Sequence, residues 1–242
     1  MIKPMELQET KNIITDSKNI YLITSQEPEA ITSTLALFYT LKDLGKNVNL
    51  IMDALPENLK FLAPSLDFIS YPKNFVISVP NNVAQISQIY YEKNNDGVKI
   101  HLTLENGNIK KDNIAFYFSE AKPDLIITCG IKDYQKELSE KLNSFGFLLD
   151  SQVVNIDTSA GSVQDNKKFG KINLIGGGSI SEIVFGLMEN VKKEAAVCLL
   201  SGLIFYTENF KNNLSAEIFQ TVSDLMKKGA NLQEIKNNIK LN

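Results

Sequence analysis

The sequence is poorest in histidine: His101 is the only one in 242 residues. Zinc proteases, cyclic-nucleotide phosphodiesterases and most two-metal phosphatases use several imidazoles, because neutral nitrogen donors hold a transition metal without over-neutralising its charge. Those mechanisms are excluded. Cysteine is nearly as scarce. Cys129 and Cys198 sit inside apolar runs without CxxC spacing, which excludes a disulfide scaffold and a thiolate zinc site and reads as two small buried hydrophobes. Long apolar runs are missing too. Ala195 to Tyr206 falls short of the roughly 20 residues that span a bilayer and is flanked by Lys193 and Glu208, so no membrane segment is expected. Met1 to Thr15 lacks the basic, apolar, small-residue order of a secretion signal, which predicts a cytoplasmic protein. Finally, positive charge is neither abundant nor massed. With 25 Lys and Arg against 28 Asp and Glu, the net charge is −3, and no footprint for extended duplex nucleic acid can be read.

What is present is a core. Hydrophobic residues make up 43% and charged residues 22% of the chain, which fits one domain over residues 1–242 carrying an insertion. Asn19 to Thr24 (NIYLIT) is a short apolar run, followed by the helical spacing Ile31, Leu35, Phe38, Leu41, Leu44 and then Gly45. Thr24 and Glu27 have capping-box spacing. Asn47 to Met52 closes a β-α-β unit. Asp124 to Cys129 (DLIITC), a helix from about Tyr134 to Phe145 and the strand Val153 to Ile156 repeat the alternation, with the continuous apolar runs of buried parallel strands. Between the halves, at about residues 73–110, the runs Asn74–Val79, Ala84–Tyr91 and Gly97–Leu104, with an Asn94–Gly97 turn, predict an inserted antiparallel β meander. His101 reads there as an ordinary strand histidine. From Ser179 the chain is helical, over Ser181–Val191, Lys193–Thr207, Ser215–Lys228 and Leu232–Ile239. The fold class expected is α/β: a Rossmann-like, mainly parallel sheet flanked by helices, with a helical C-terminal part.

Three ordered segments resemble the DHH phosphoesterase family. The first is LITSQEPEAITSTLALFYTLKDLGKNV, Leu22 to Val48, followed by PENLKFL at Pro56 to Leu62; the family has a strand, a His-x-x-Pro-Asp-x-Asp-Ala loop and a helix beginning Gly-Ser-x-Leu-Ala-Leu. The second is VVNIDTSAGSVQDNKKFGKINLI, Val153 to Ile175, similar to the strand ending in Asp-His-His and the Asn-x-x-Phe-Gly-x-Ile-Asn-Leu that follows it. The third runs from SISEIVFGLM, Ser179 to Met188, to SGLIFYTENF, Ser201 to Phe210, and resembles the two helices behind the family's site.

The resemblance implies a two-metal site holding manganese or magnesium, and the chain departs from it at each ligand position. Glu29 falls on the second Asp, Ala30 on the Ala and Thr32-Ser33 on the Gly-Ser, while the His and the first Asp have no counterpart. Asp157 survives, but Thr158 and Ser159 replace both histidines. Gly130 stands where an Asp would end the DLIIT-type strand, and Tyr206-Thr207 replaces Asp-Thr. The family's smaller substrate domain has no counterpart before Asn242. Neutral hydroxyls do not replace imidazole as strong metal ligands, so no metal ligands, no cofactor and no catalytic residues are expected, with Glu29, Asp157, Thr158 and Ser159 as remnant positions.

The ligand-binding candidates are Ser25, Glu29, Asp157 and Ser159 at the strand ends, where ligands of open α/β sheets gather, and Gly176, Gly177, Gly178 and Ser179 before a helix. That glycine turn is open to two readings: backbone N–H groups offered to a phosphate, or close approach of helix to sheet. Ser179 and Glu182 also have capping-box spacing. Asp157, Thr158, Ser159 and Ser162 lack a histidine base, which excludes serine hydrolase chemistry. Asp53 reads as a loop carboxylate. The function expected is a catalytically degenerate DHH-like protein that binds a nucleotide-like or phosphorylated ligand, or a protein partner. Two alternatives stand beside it: a phosphoesterase on short oligonucleotides or nucleoside bisphosphates with a rebuilt site, and a scaffold whose exposed antiparallel strands pair with a second chain in a homodimer.

Overall fold

The computed structural model describes residues 2–52, 55–63, 73–120, 122–133, 137, 151–158 and 169–240. Asp53, Ser159, Ser162 and nearly all of the helix expected from Tyr134 to Phe145 lie outside them. The chain divides into two compact units, residues 1–72 with 122–242, and residues 73–121.

The first unit is built on a five-stranded parallel sheet in the order β2-β1-β7-β8-β9. Its strands are β1 (Asn19–Thr24), β2 (Asn47–Ile51), β7 (Leu125–Cys129), β8 (Gln152–Thr158) and β9 (Ile172–Gly176). Every residue of β7 is buried, as is every residue of β1 after Asn19. This is why the inner strands read as unbroken apolar runs: a parallel strand covered on both faces has no solvent side to mark with polar residues. Ile20 pairs with Val48 on one side and with Leu125 on the other, which aligns like residues across the sheet. Ile20, Leu22, Ile127, Ile156 and Leu174 face the main core; Tyr21, Ile23, Ile126 and Val153 face a second cluster on the other side.

The helices are α1 (Pro4–Asp16), α2 (Pro28–Asp43), α3 (Ile180–Leu187), α4 (Lys193–Tyr206), α5 (Ala216–Lys227) and α6 (Leu232–Ile239), with a 3-10 turn at Glu57–Leu62. α2 and α4 are buried on nearly every side, including Leu35, Phe38, Leu199 and Leu203, as expected of helices without a polar stripe. Each such side chain stabilises by about 1.5–3 kcal/mol through area removed from water. α5 and α6 bury only Ile218, Val222, Leu225, Ile235 and Ile239, one face each. None of the described helices is long and apolar enough to cross a membrane.

Two local expectations are corrected. The N-terminal segment, to which the sequence assigns no element, is the helix α1. Its buried positions are Thr10 and Ile14, and Thr10 hides its hydroxyl by donating to the Glu6 carbonyl at 2.8 Å, so a polar residue stands in the apolar stripe. Thr24 does not cap α2. It is the last residue of β1, and Glu27 occupies the cap without a side-chain bond while Pro28 opens the first turn, where a missing N–H costs nothing.

The second unit holds β3 (Lys73–Ser78), β4 (Ala84–Asn94), β5 (Gly97–Gly107) and β6 (Ala115–Glu120). Its strands are antiparallel, as expected, and their pairing is nested: β4 with β5 as an inner hairpin, β3 with β6 as an outer ladder. His101 is an ordinary strand residue there, stacked on Tyr90 at 4.5 Å and 3.7 Å from the Glu92 carboxylate.

Candidate functional site

The carboxyl ends of β1, β7, β8 and β9 bring together most of the residues singled out in the sequence. After β1, Ser25 Oγ accepts from the Glu27 N–H at 3.3 Å, and α2 begins at once. Glu29, in its first turn, reaches the start of α3. Its Oε1 accepts from the Ser181 N–H at 3.3 Å, and the Ile180 N–H also bonds the carboxylate. Burial nonetheless lifts its pKa to about 7; the two amides oppose that rise, and Glu27 and Glu182 add to it. A buried carboxyl facing other carboxylates is neutralised in part at ordinary pH.

After β7, Gly130 adopts φ +68°, a left-handed conformation that side chains rarely take. A Cβ at that position would lie 2.8 Å from Ala30 Cβ and 2.9 Å from Ser25 Oγ. Ala30 is fixed in a buried helix turn, so the neighbour cannot move aside. At the position that the resemblance matches to an aspartate, a side chain would therefore be strained in this backbone conformation. Next to it, the Cys129 thiol is wholly buried and pushed up to about 12, by burial first; a bond from Thr34 opposes this, and the charges of Asp157 and Glu29 reinforce it. Lys132 pairs with Glu27 at 2.5 Å, which holds its amine above the usual lysine range, with Asp157 and Glu137 contributing at longer reach.

At the end of β8, Asp157 is 3% exposed and its Oδ1 accepts from the Thr158 N–H at 2.7 Å. After β9, the expected capping box is present: Ser179 Oγ accepts from the Glu182 N–H at 2.9 Å, and Glu182 Oε2 accepts from the Ser179 N–H at 3.1 Å. Together with the two bonds to Glu29, this supplies an acceptor to each amide from Ser179 to Glu182. At the glycine turn, a Cβ on Gly176 would sit 3.2 Å from Ile183 Cδ1 and one on Gly178 2.8 Å from Glu182 Oε2. None of Gly176, Gly177 and Gly178 takes a left-handed conformation.

Sequence spacing did not reveal the layer behind these loops. Ser33 and Ser181 share a buried hydroxyl-to-hydroxyl bond of 2.9 Å, and a Cβ on Gly202 would lie 2.2 Å from Ser181 Oγ and 2.7 Å from Thr32 Oγ1. Tyr206 is half-buried, and its phenol is raised above its ordinary pKa by burial, then by Glu29 and Glu182. Among the described residues, no three His, Cys, Asp or Glu side chains group closely enough to hold a metal ion. With no side chain at Gly130 and Glu29 committed to α3, the described residues do not fit a pair of divalent cations. A pocket of about 320 Å³ lies elsewhere, floored by Ile14, Leu41 and Met188 and rimmed by the Asp43–Lys192 ion pair at 2.9 Å.

The chain resembles a solved exopolyphosphatase-related protein from Bacteroides fragilis, with a TM-score of 0.67 at 19% identity over 99% of this chain. The fold is DHH-like. This chain spans 61% of the length of that protein. The exonuclease RecJ bound to manganese matches with a TM-score of 0.45 at 12% identity, over 94% of this chain and 48% of RecJ, too distant to bear on the site. No family model and no curated protein matches the sequence. In the DHH-like frame, α2 and α3 meet through Glu29, with Lys132 in the loop after β7 and Glu182 in the first turn of α3 beside the expected residues.

Proposed function

We propose that this chain is a cytoplasmic, non-hydrolysing protein of DHH-like fold whose work is binding. The observation that carries this reading is the Glu29 carboxylate seated on the first-turn amides of α3. A two-cation phosphoesterase needs several anionic oxygens turned toward an open cavity. Glu29 is turned onto a helix end and pushed toward neutrality instead. Gly130, which offers no ligand atom and whose backbone strains any side chain placed there, supports the same reading.

Of the two kinds of ligand, a protein partner is favoured over a small phosphorylated molecule. A helix N-terminus attracts phosphate through free amides, and here those amides already have acceptors. Among the described residues, Glu27, Asp157 and Glu182 add negative charge around Lys132, itself paired with Glu27. Two measurements test the reading. Purified protein with manganese is offered dinucleotides, nucleoside bisphosphates and polyphosphate, and the melting temperature is followed with the same compounds. The expected result is no release of phosphate or mononucleotide and a melting shift below about 1 °C. Manganese-dependent hydrolysis that disappears in Asp157→Ala would overturn it.

A further inference from the structure

The β4–β5 hairpin is two-sided in its chemistry. On one face the register pairs Tyr91 with Ile100, Ile89 with Leu102 and, past an irregularity at Ser87, Ile86 with Leu104; Val98 extends the same face. On the other face it pairs Gln88 with Thr103, Tyr90 with His101 and Glu92 with Lys99. A strand pair with an apolar face is built to lie on something. Yet Ile89 is 68% exposed, Tyr91 73%, Val98 59%, Ile100 52% and Leu104 37%. Among the described side chains of residues 75–117, Ala84 alone is buried. An isolated two-stranded ribbon is marginally stable in water, and the described residues of its own unit do not supply the cover that this pattern calls for.

We infer that the cover is a second copy of this chain, with the apolar faces of two β4–β5 hairpins packed against each other around a twofold axis. Three features support that occupant. The face carries almost no charge to oppose its own copy: Lys93, next to the turn, is its one charged residue and falls on the rim. The exposed fractions amount to roughly 600 Å² on each copy, so roughly 1,200 Å² is buried by the pair, the lower end of specific protein interfaces. Packed face to face, two ribbons make a two-layer sheet sandwich with both polar faces in water, a standard solution for an amphipathic sheet. A twofold contact also closes, which leaves a dimer and not a filament. The inference is independent of whether the strand-end site hydrolyses anything.

The test is the solution mass of the full chain by analytical ultracentrifugation between about 1 and 100 μM, a range that brackets a modest interface. The expected mass at the upper end is twice the 27.0 kDa of one chain. Ile89→Glu combined with Ile100→Glu places charges in the packed face and is expected to weaken association about 100-fold or more. Thr103→Glu, on the polar face, is expected to leave association within about threefold. Circular dichroism and the melting of the variants establish that they are folded. A wild-type chain that stays monomeric at about 100 μM overturns the inference. So does a dimer that survives the paired glutamates, or one lost equally in Thr103→Glu, because either outcome puts the contact on another surface or on the hairpin edge.

Discussion

Glu29→Gln isolates the electrostatic cost of the strand-end site. The unfolded chain releases the Glu29 proton near 4.5, while the folded chain holds it until about 7. Between those values the folded state binds more protons, so this group's contribution to stability is fully present below pH 4.5 and is lost as pH rises to about 7. The size of the effect follows from the interval: about 3 kcal/mol at pH 8 relative to pH 4. Glutamine fixes the neutral form and keeps an oxygen to accept from the Ser181 N–H. The variant is therefore expected to match the wild type near pH 4 and to exceed it by up to about 3 kcal/mol at pH 8. In a chain of this size that is a melting difference of about 6–12 °C. The assay is thermal or urea unfolding of both proteins at half-unit steps from pH 4 to 8.5, and the quantity read is their difference, which cancels the other titrating groups. Parallel curves, with a constant offset across the range, would refute the reasoning: Glu29 would then ionise in the folded protein as it does in the unfolded chain.

Gly130→Asp, the obvious attempt to restore a metal ligand, is expected to lower stability by about 2–5 kcal/mol in urea titration, the sum of left-handed strain and overpacking against Ala30. It is also expected to produce no manganese-dependent rise in melting temperature. Ser179→Ala removes the acceptor of the Glu182 N–H and is expected to cost about 1 kcal/mol by the same titration, with Ser179→Gly milder.

The parts of the fold that were legible have a local signature. β1, β7 and β8 announce themselves because burial on both faces leaves mainly apolar runs, and α5 and α6 because polar breaks precede them, where Ser215 and Asn231 prove to be the caps. α1 lacked such a signature, since Thr10 fills a core position with a hydroxyl satisfied inside its own helix. The α2 start was misplaced because cap spacing at Thr24 and Glu27 is silent on whether the strand has yet ended. In the site, the capping box at Ser179 is a contact across three residues and was readable. The bond from Ser181 to Glu29 crosses 152 positions, and the Ser33–Ser181 contact 148, so no spacing rule reaches them. The crowding at Gly130 is of the same kind: a glycine after a strand looks like any turn until Ala30 and Ser25 are brought against it.

The crowding at Gly130 comes from two sides at once, the Ala30 methyl group and Ser25 Oγ. Shrinking Ala30 to glycine would relieve one side only, and would put a glycine inside the first turn of a buried helix at about 1 kcal/mol. Both contacts follow from the left-handed backbone at 130. Room for a side chain there is therefore a matter of the path that the loop takes out of β7 more than of the size of any one neighbour.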